Sequence, residues 1–122
     1  MNDNVTRRWR FYATPSGRKP AREFIDHLSD VDAAEIVAAL ADVRMNGLVA
    51  ARHLRGEIYE VRAEGREASY RILFAEEGAK GRVLLALHAF SKKTQKTPPQ
   101  TLSLAERRLV DWRRRHGSRR RL

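Results

Sequence analysis

The stretch Arg82–Pro99, RVLLALHAFSKKTQKTPP, decides the fold. Five apolar residues at 83–87 are typical of a buried strand, and His88 is the first polar interruption. Three lysines and two prolines follow, so the strand runs directly into a basic segment that cannot continue as sheet. A rigid strand end that presents fixed positive charges is suited to holding a polyanion.

Working outward from this strand, the hydrophobic pattern predicts a compact α+β domain. Alternation predicts strands at 5–13, 57–63, 69–75 and 82–90. Helices are predicted from Pro20, from Ser29 or Asp30 to Gly47, and from Ser103 to Arg115, where Ser103 and Glu106 form a capping box. The second helix has an apolar stripe of Val31, Ile36, Leu40 and Val43. The order is β-α-α-β-β-β-α, a mainly antiparallel four-stranded sheet with all helices against one side.

Length and charge limit the class of protein. The 122 residues suffice for one domain, which we place at 1–116, followed by a flexible basic tail at 117–122. The net charge of +10, with six arginines in residues 113–122, favours a polyanionic partner such as nucleic acid. The alternative to a polyanion-binding role is that residues 113–122 form a solvated basic tail without a specific role. The absence of cysteine excludes disulfides and thiolate nucleophiles.

Other sequence signals are negative. The start of the chain lacks the apolar region of a signal peptide, and no stretch is long and apolar enough to span a membrane. We therefore expect a cytoplasmic protein without a membrane partner. The four histidines are scattered and show no metal-ligand spacing, so neither a metal nor a cofactor is expected.

Polar residues converge on one face of the predicted sheet. Alternation places Glu60, Arg62 and Arg71 opposite the core, close together, where no helix covers them. A carboxylate between two arginines is stabilised as the anion, and it could act as a general base or orient the arginines. The alternative is a cross-strand ion pair on a solvated face. His88 is either a hydrogen-bonded core histidine or a proton-transfer group.

Arginines and lysines without a metal suit the cleavage of RNA. RNA supplies its own nucleophile, the 2′-OH, so the protein need only align it, neutralise the phosphorane and assist proton transfer. We expect Lys92, Lys96, Arg113 and Arg114 to bind RNA. A DNA-binding regulator ranks lower, because the sequence contains no convincing helix-turn-helix.

Four segments carry a resemblance to a known family. They are WRFYATPSGRKPAREFIDHL (9–28), LRGEIYEVR (54–62), SYRILF (69–74) and LLALHAFSKKTQKTP (84–98). Together they resemble the phage-derived branch of the RelE/HigB toxin family of type II toxin–antitoxin systems. The resemblance implies a RelE-like microdomain and a metal-independent mRNA interferase. It also implies mRNA and the ribosome as partners, and a cognate antitoxin of the helix-turn-helix type.

The resemblance also implies roles for individual residues. Arg62, Arg71 and Lys93 would hold the scissile phosphate, and Lys92 would contact adjacent backbone or rRNA. Glu60 lies where some relatives carry a lysine, so the general base stays open between Glu60, His88 and a lysine with a lowered pKa. The alternative function is a non-catalytic RNA- or ribosome-binding module that uses the same basic face.

Overall fold

The computed structural model describes residues 6–92 and 96–117. Its elements, in chain order, are β1 (Arg8–Phe11), α1 (Pro20–Asp26), α2 (Asp30–Asn46), β2 (Arg52–Arg55), β3 (Ile58–Glu64), β4 (Ser69–Glu77), β5 (Val83–Lys92) and α3 (Pro99–His116). The predicted α+β class is confirmed. No helix in the described part is long and apolar enough to cross a bilayer.

The sheet has five strands, not the predicted four. Its order is β1-β5-β4-β3-β2, in which β1 is parallel to β5 and the other pairs are antiparallel. The missed strand β2, with the sequence RHLR, lies at an edge and three of its four residues are exposed. Its mostly polar sequence therefore carries no apolar alternation by which it could be recognised.

The two helices of the N-terminal half begin where the sequence predicts. Pro20 occupies the first turn of α1, and the Ser29 hydroxyl accepts a hydrogen bond from the Asp32 backbone N–H at 3.2 Å to cap α2. Gly47 ends α2 with a φ of 78°. Val31 is 43% exposed and not part of the buried stripe. Five residues of α-helix turn Val31 roughly 140° away from Ile36, so the two cannot share one face.

The prediction that all helices cover one side of the sheet is wrong. Helices α1 and α2 cover the face that carries Val61, Ile72 and Phe74. Helix α3 covers the other face through Ala105, Leu109 and Trp112, which pack on Ile58, Leu73, Leu85 and Leu87. An unbroken apolar run such as residues 83–87 supplies side chains to both faces, so both need a cover.

Helix α3 is also longer than predicted. It begins at Pro99, with Pro98 as its N-cap, and extends for 18 residues to His116. The prediction started it at Ser103, but proline is well suited to a first helical position, so the helix begins one turn earlier. The early start places the beginning of α3 two residues after Thr97.

Candidate active site

Strand register builds a polar cluster on the α3 side of the sheet. Arg62 of β3 lies directly opposite Arg71 of β4, and Ser69 lies opposite Lys92 at the end of β5. Glu60 is two residues before Arg62, so its side chain points to the same face. The structure thus brings together Glu60, Arg62, Arg71 and Lys92, and we call these four residues the basic cluster.

Glu60 is the anionic centre of the basic cluster. Its side chain is 1% exposed, and Arg62 Nε donates a hydrogen bond to Oε1 at 3.0 Å. Arg71 Nε lies 3.4 Å from Oε2, which also accepts a 2.8 Å hydrogen bond from the Thr97 hydroxyl. The sequence-based expectation of an uncovered face is therefore wrong, because these contacts and α3 bury the carboxylate. Burial makes this ion pair part of the interior.

Arg71 is a buried cation with spare hydrogen-bonding capacity. The residue is 3% exposed, yet its Nε and Nη1 atoms have no hydrogen-bond partner in the described part of the chain. Leaving a buried N–H unsatisfied costs about 1–3 kcal/mol, and more where the group is charged. The planar guanidinium is matched to two phosphate oxygens at once. Both atoms are enclosed, so an anion can reach them only when the side chains around Glu60 move apart.

Lys92 adds a third cationic side chain to the basic cluster, after Arg62 and Arg71. It is 8% exposed, and burial lowers the pKa of its ammonium group. The neighbouring positive charges of Arg71 and Arg62 lower this pKa further, whereas Glu60 raises it. A lysine in this setting is more easily deprotonated than one in water.

His88 stands apart from Glu60. In the strand register His88 faces Leu73, and Leu73 faces Glu60. The histidine therefore lies two strands from Glu60, with roughly 10 Å between their Cα atoms. Its ring stacks on Phe90 at 5.2 Å, and its Nδ1 atom lies 3.4 Å from Nη1 of Arg108. Burial, and then the charge of Arg108, lower the pKa of His88 to about 4. The imidazole is thus neutral at physiological pH.

The other predicted site residues lie elsewhere. Lys93 is outside the described residues, and Lys96 is exposed. Arg113 is ion-paired with Glu57 at 2.7 Å and with Glu77 at 2.5 Å, and these carboxylates raise its pKa. Arg113 thus binds at Glu57, three residues before Glu60 in the chain, and among the described residues neither Arg113 nor Arg114 makes an ion pair with Glu60. The two arginines do not belong to the basic cluster.

Sequence reasoning missed two neighbours of Glu60. Thr97 donates to its carboxylate, and Arg52 of β2 is paired with Glu60 in the strand register and is exposed. The threonine precedes two prolines, which signals a turn but not its contact. Arg52 could not be placed because β2 itself was not predicted.

A buried carboxylate holds the β3–β4 hairpin in place. Asp32 of α2 is fully buried and accepts hydrogen bonds from the backbone N–H groups of Arg66 and Glu67 at 2.6 and 3.0 Å, and from the Tyr70 hydroxyl at 2.5 Å. These bonds lower the pKa of Asp32, and the bond to Asp32 raises the pKa of Tyr70 to about 12. A side chain at Gly65 would collide with this carboxylate, since a Cβ would lie 2.5 Å from its Cγ. The hairpin that aligns Arg62 with Arg71 is thereby fixed to α2.

The described residues contain no group of three or more histidine, cysteine, aspartate or glutamate side chains that could hold a metal ion. The chemistry of the basic cluster is that of cations around one carboxylate. Such an arrangement can bind a phosphodiester, neutralise charge that develops on it, and exchange a proton through an amine.

Comparison with known proteins gives two concordant findings. The phage derived protein Gp49-like family (DUF891) matches residues 23–110. Two curated relatives, each named "Probable endoribonuclease HigB1", come from the CDC 1551 / Oshkosh and ATCC 25618 / H37Rv strains of Mycobacterium tuberculosis. Each is 30% identical over 112 residues, which cover 89% of this chain and 87% of the relative. The family match includes the whole basic cluster, and the chain belongs to the phage-derived, Gp49-like branch of the RelE/HigB-type toxins.

Proposed function

We propose that this protein is the toxin of a type II toxin–antitoxin pair and acts as an endoribonuclease on mRNA bound to the ribosome. The observation that carries this proposal is the buried Arg71 guanidinium, which is ion-paired with Glu60 but whose Nε and Nη1 have no hydrogen-bond partner in the described part. The name of the curated relatives supports the reaction class. The cognate antitoxin, of the helix-turn-helix type, is part of the same proposal.

The reaction that fits the basic cluster is transfer of the phosphoryl group to the neighbouring 2′-oxygen of RNA. The 2′-oxygen forms a bond to phosphorus, the bond to the 5′-oxygen breaks, and the products are a 2′,3′-cyclic phosphate and a 5′-hydroxyl. One proton leaves the 2′-OH, and one is delivered to the departing 5′-oxygen. This reaction needs no metal, because Arg71 and Arg62 supply the charge that stabilises the phosphorane.

Proton transfer is best assigned to Lys92. The lowered pKa of its amine brings the neutral form closer to physiological pH, which is the condition for a general base. Glu60 instead acts as a positioning residue, because its two oxygens accept hydrogen bonds from Arg62 and Thr97 and lie against Arg71. His88 is a poorer base, since its pKa of about 4 is far from the working pH. Lys93, adjacent in the chain, is proposed as a further phosphate contact.

A non-catalytic RNA-binding module is the second candidate. The lowered pKa of His88, about 4, favours it, because the imidazole is then a weak base for removing a proton from the 2′-OH. In this alternative the basic cluster binds RNA, and Lys96, Arg113 and Arg114 add affinity. The RNA backbone is not cleaved.

Pulsed expression tests the proposal. We expect growth arrest within one pulse, new RNA 5′ ends inside coding regions, and relief of both when the antitoxin encoded beside the gene is co-expressed. Arg71→Met is the matched control, since it removes the charge and keeps a long, unbranched side chain of similar volume. Purified protein should cut mRNA on programmed ribosomes equally well with and without a metal chelator. Normal growth and unchanged 5′ ends, with soluble folded protein at high level, would refute the toxin assignment.

A further inference from the structure

A second basic surface lies at the far end of α3. Arg10 of β1, together with Trp112 and His116 of α3, lines a pocket of about 410 Å³. This volume is within the range of ~300–1,000 Å³ that is typical of small-molecule sites. We call these three residues the Arg10 cluster, and none of them belongs to the basic cluster around Glu60.

The side chains of the Arg10 cluster form a layered stack. The imidazole of His116 lies parallel to the indole of Trp112, with ring centroids 4.0 Å apart and planes at 20°. The guanidinium of Arg10 lies 4.9 Å from the centroid of the same indole. Trp112 is 6% exposed, whereas Arg10 and His116 are exposed. An arriving ring therefore meets an imidazole and a planar cation, the two surfaces on which unstacked bases of RNA commonly stack.

Charge around the Arg10 cluster is positive. Arg8 is exposed and points to the same face of the sheet. Arg8 and Arg10 make no ion pair with any carboxylate in the described part. Glu77 lines the pocket, but it is already paired with Arg113.

The remaining nearby acids do not cancel this charge. Asp111 accepts hydrogen bonds from Tyr12 at 2.7 Å and from Arg115 at 2.6 Å, and alternation directs Glu76 to the opposite face of the sheet. The C-terminal end of α3 adds only about half a negative charge. In sequence, three more arginines follow within four residues of Gly117, which itself lines the pocket.

We propose that the Arg10 cluster is a second RNA subsite, where a single-stranded base stacks on His116 and an adjacent phosphate pairs with Arg10 and Arg8. It deepens the proposed function, since it assigns the same RNA a second point of attachment. The two clusters lie on the same side of the sheet. In the strand register Arg10 faces Leu85 and Arg71 faces Phe90, so the Cα atoms of Arg10 and Arg71 lie roughly 18 Å apart. A stacked strand covers this span with roughly five nucleotides, at about 3.4 Å each.

Binding of non-cleavable RNA tests the subsite apart from catalysis. The probes are fluorescein-labelled 2′-O-methyl oligoribonucleotides of four and twelve nucleotides, followed by anisotropy with the full-length protein. We expect His116→Ala and Arg10→Gln each to weaken binding of the twelve-mer by about 5- to 100-fold, the range for loss of one stacked base. The control is Arg44→Gln, which removes the same charge from exposed α2 on the opposite face and should have a much smaller effect.

An independent readout comes from tryptophan fluorescence. The chain has two tryptophans, so Trp9→Phe leaves Trp112 as the sole emitter. The twelve-mer should quench this emission in the Trp9→Phe protein, and His116→Ala in that background should shift the quenching to higher concentration. Circular dichroism verifies that each variant is folded.

The outcomes separate this inference from the proposed function. Variants that bind the twelve-mer as tightly as the wild type, or that lose no more affinity than Arg44→Gln, would overturn the subsite. Unchanged Trp112 emission at saturating oligonucleotide would overturn it as well. Stacking-dependent binding by a protein that never cleaves RNA on ribosomes would refute the nuclease and leave the subsite standing.

Discussion

The two partners of the Glu60–Arg71 ion pair should respond very differently to removal. We predict that Arg71→Met leaves the free energy of unfolding within about 1 kcal/mol of wild type, while Glu60→Gln lowers it by about 3–5 kcal/mol. Both substitutions keep the approximate volume of the side chain. Arg71→Met should nevertheless lower the single-turnover cleavage rate by roughly 10²–10³-fold, because it removes charge aimed at the phosphorane.

The asymmetry follows from the local balance of charge. At 3.4 Å the pair attracts by about 5 kcal/mol for an effective dielectric constant near 20. Against this stand a desolvation cost of several kcal/mol for the buried guanidinium and repulsion by Arg62, which lies directly opposite Arg71. The two unsatisfied N–H groups add about 1–3 kcal/mol each. Removal of Arg71 therefore relieves about as much free energy as it loses.

Removal of the carboxylate charge has no such relief. Glu60→Gln leaves two guanidinium groups side by side without the anion that both contact. An uncompensated buried charge is the costly product of breaking a buried pair. The double variant, Glu60→Gln with Arg71→Met, removes one of these cations as well. It should be more stable than Glu60→Gln alone.

Urea unfolding followed by circular dichroism measures these differences, and cleavage on programmed ribosomes measures the rate. Arg55→Met is the control, because Arg55 forms an exposed ion pair with Glu106 at 2.7 Å whose removal should cost little. A large loss of stability in Arg71→Met with none in Glu60→Gln would refute this balance of charge. Wild-type cleavage by folded Arg71→Met protein would exclude Arg71 from the reaction.

Three further predictions concern other groups. If Lys92 is the base, the cleavage rate should rise with pH and level off above its lowered pKa, and Lys92→Met should abolish that rise in a pH–rate profile. The pKa of His88 is 6.5 in the unfolded chain and about 4 in the folded protein. The unfolded chain therefore binds the proton first, and the free energy of unfolding should fall by about 2 kcal/mol as pH drops from 7 to 4, after allowance for solvent screening. His88→Gln should remove that dependence in urea titrations, and a cleavage rate within threefold of wild type would support its exclusion as base. Asp32→Asn should lower the melting temperature by at least about 5 °C and should lower activity as the β3–β4 hairpin loosens, whereas exposed Asp42→Asn should do neither.

Much of the fold could be predicted from local sequence because its signals are local. Pro20, Ser29 and Gly47 act on the backbone within one helical turn, and the structure confirms all three. The errors have two sources. Strand β2 is held only by its pairing with β3, which is a tertiary contact. The start of α3 had two local signals, and the helix begins at the proline and not at the predicted capping box. The side of the sheet on which α3 packs has no local signature.

The site shows the same division between local and tertiary information. Alternation places Glu60, Arg62 and Arg71 on one face, as predicted, because a strand directs every second side chain to the same side. Their burial was not predictable, since it depends on α3 and on Thr97, which is 37 residues from Glu60 in sequence. Whether His88 and Glu60 meet depends on Leu73, a residue of the strand between them.

Burial changes how strongly the basic cluster can interact with an anion. On a solvated face, Arg71 would be hydrated, and a phosphate would have to displace that water before it gained any charge stabilisation. In the interior, two guanidinium groups face one carboxylate, which leaves an excess of one positive charge before Lys92 is counted, and part of Arg71 has no hydrogen bond. The protein thus carries a cost in its free state that an anion relieves on arrival. A site of this kind is expected to gain little stability from Arg71 but much stabilisation of the phosphorane, which is why Arg71→Met should lower activity strongly and change stability little.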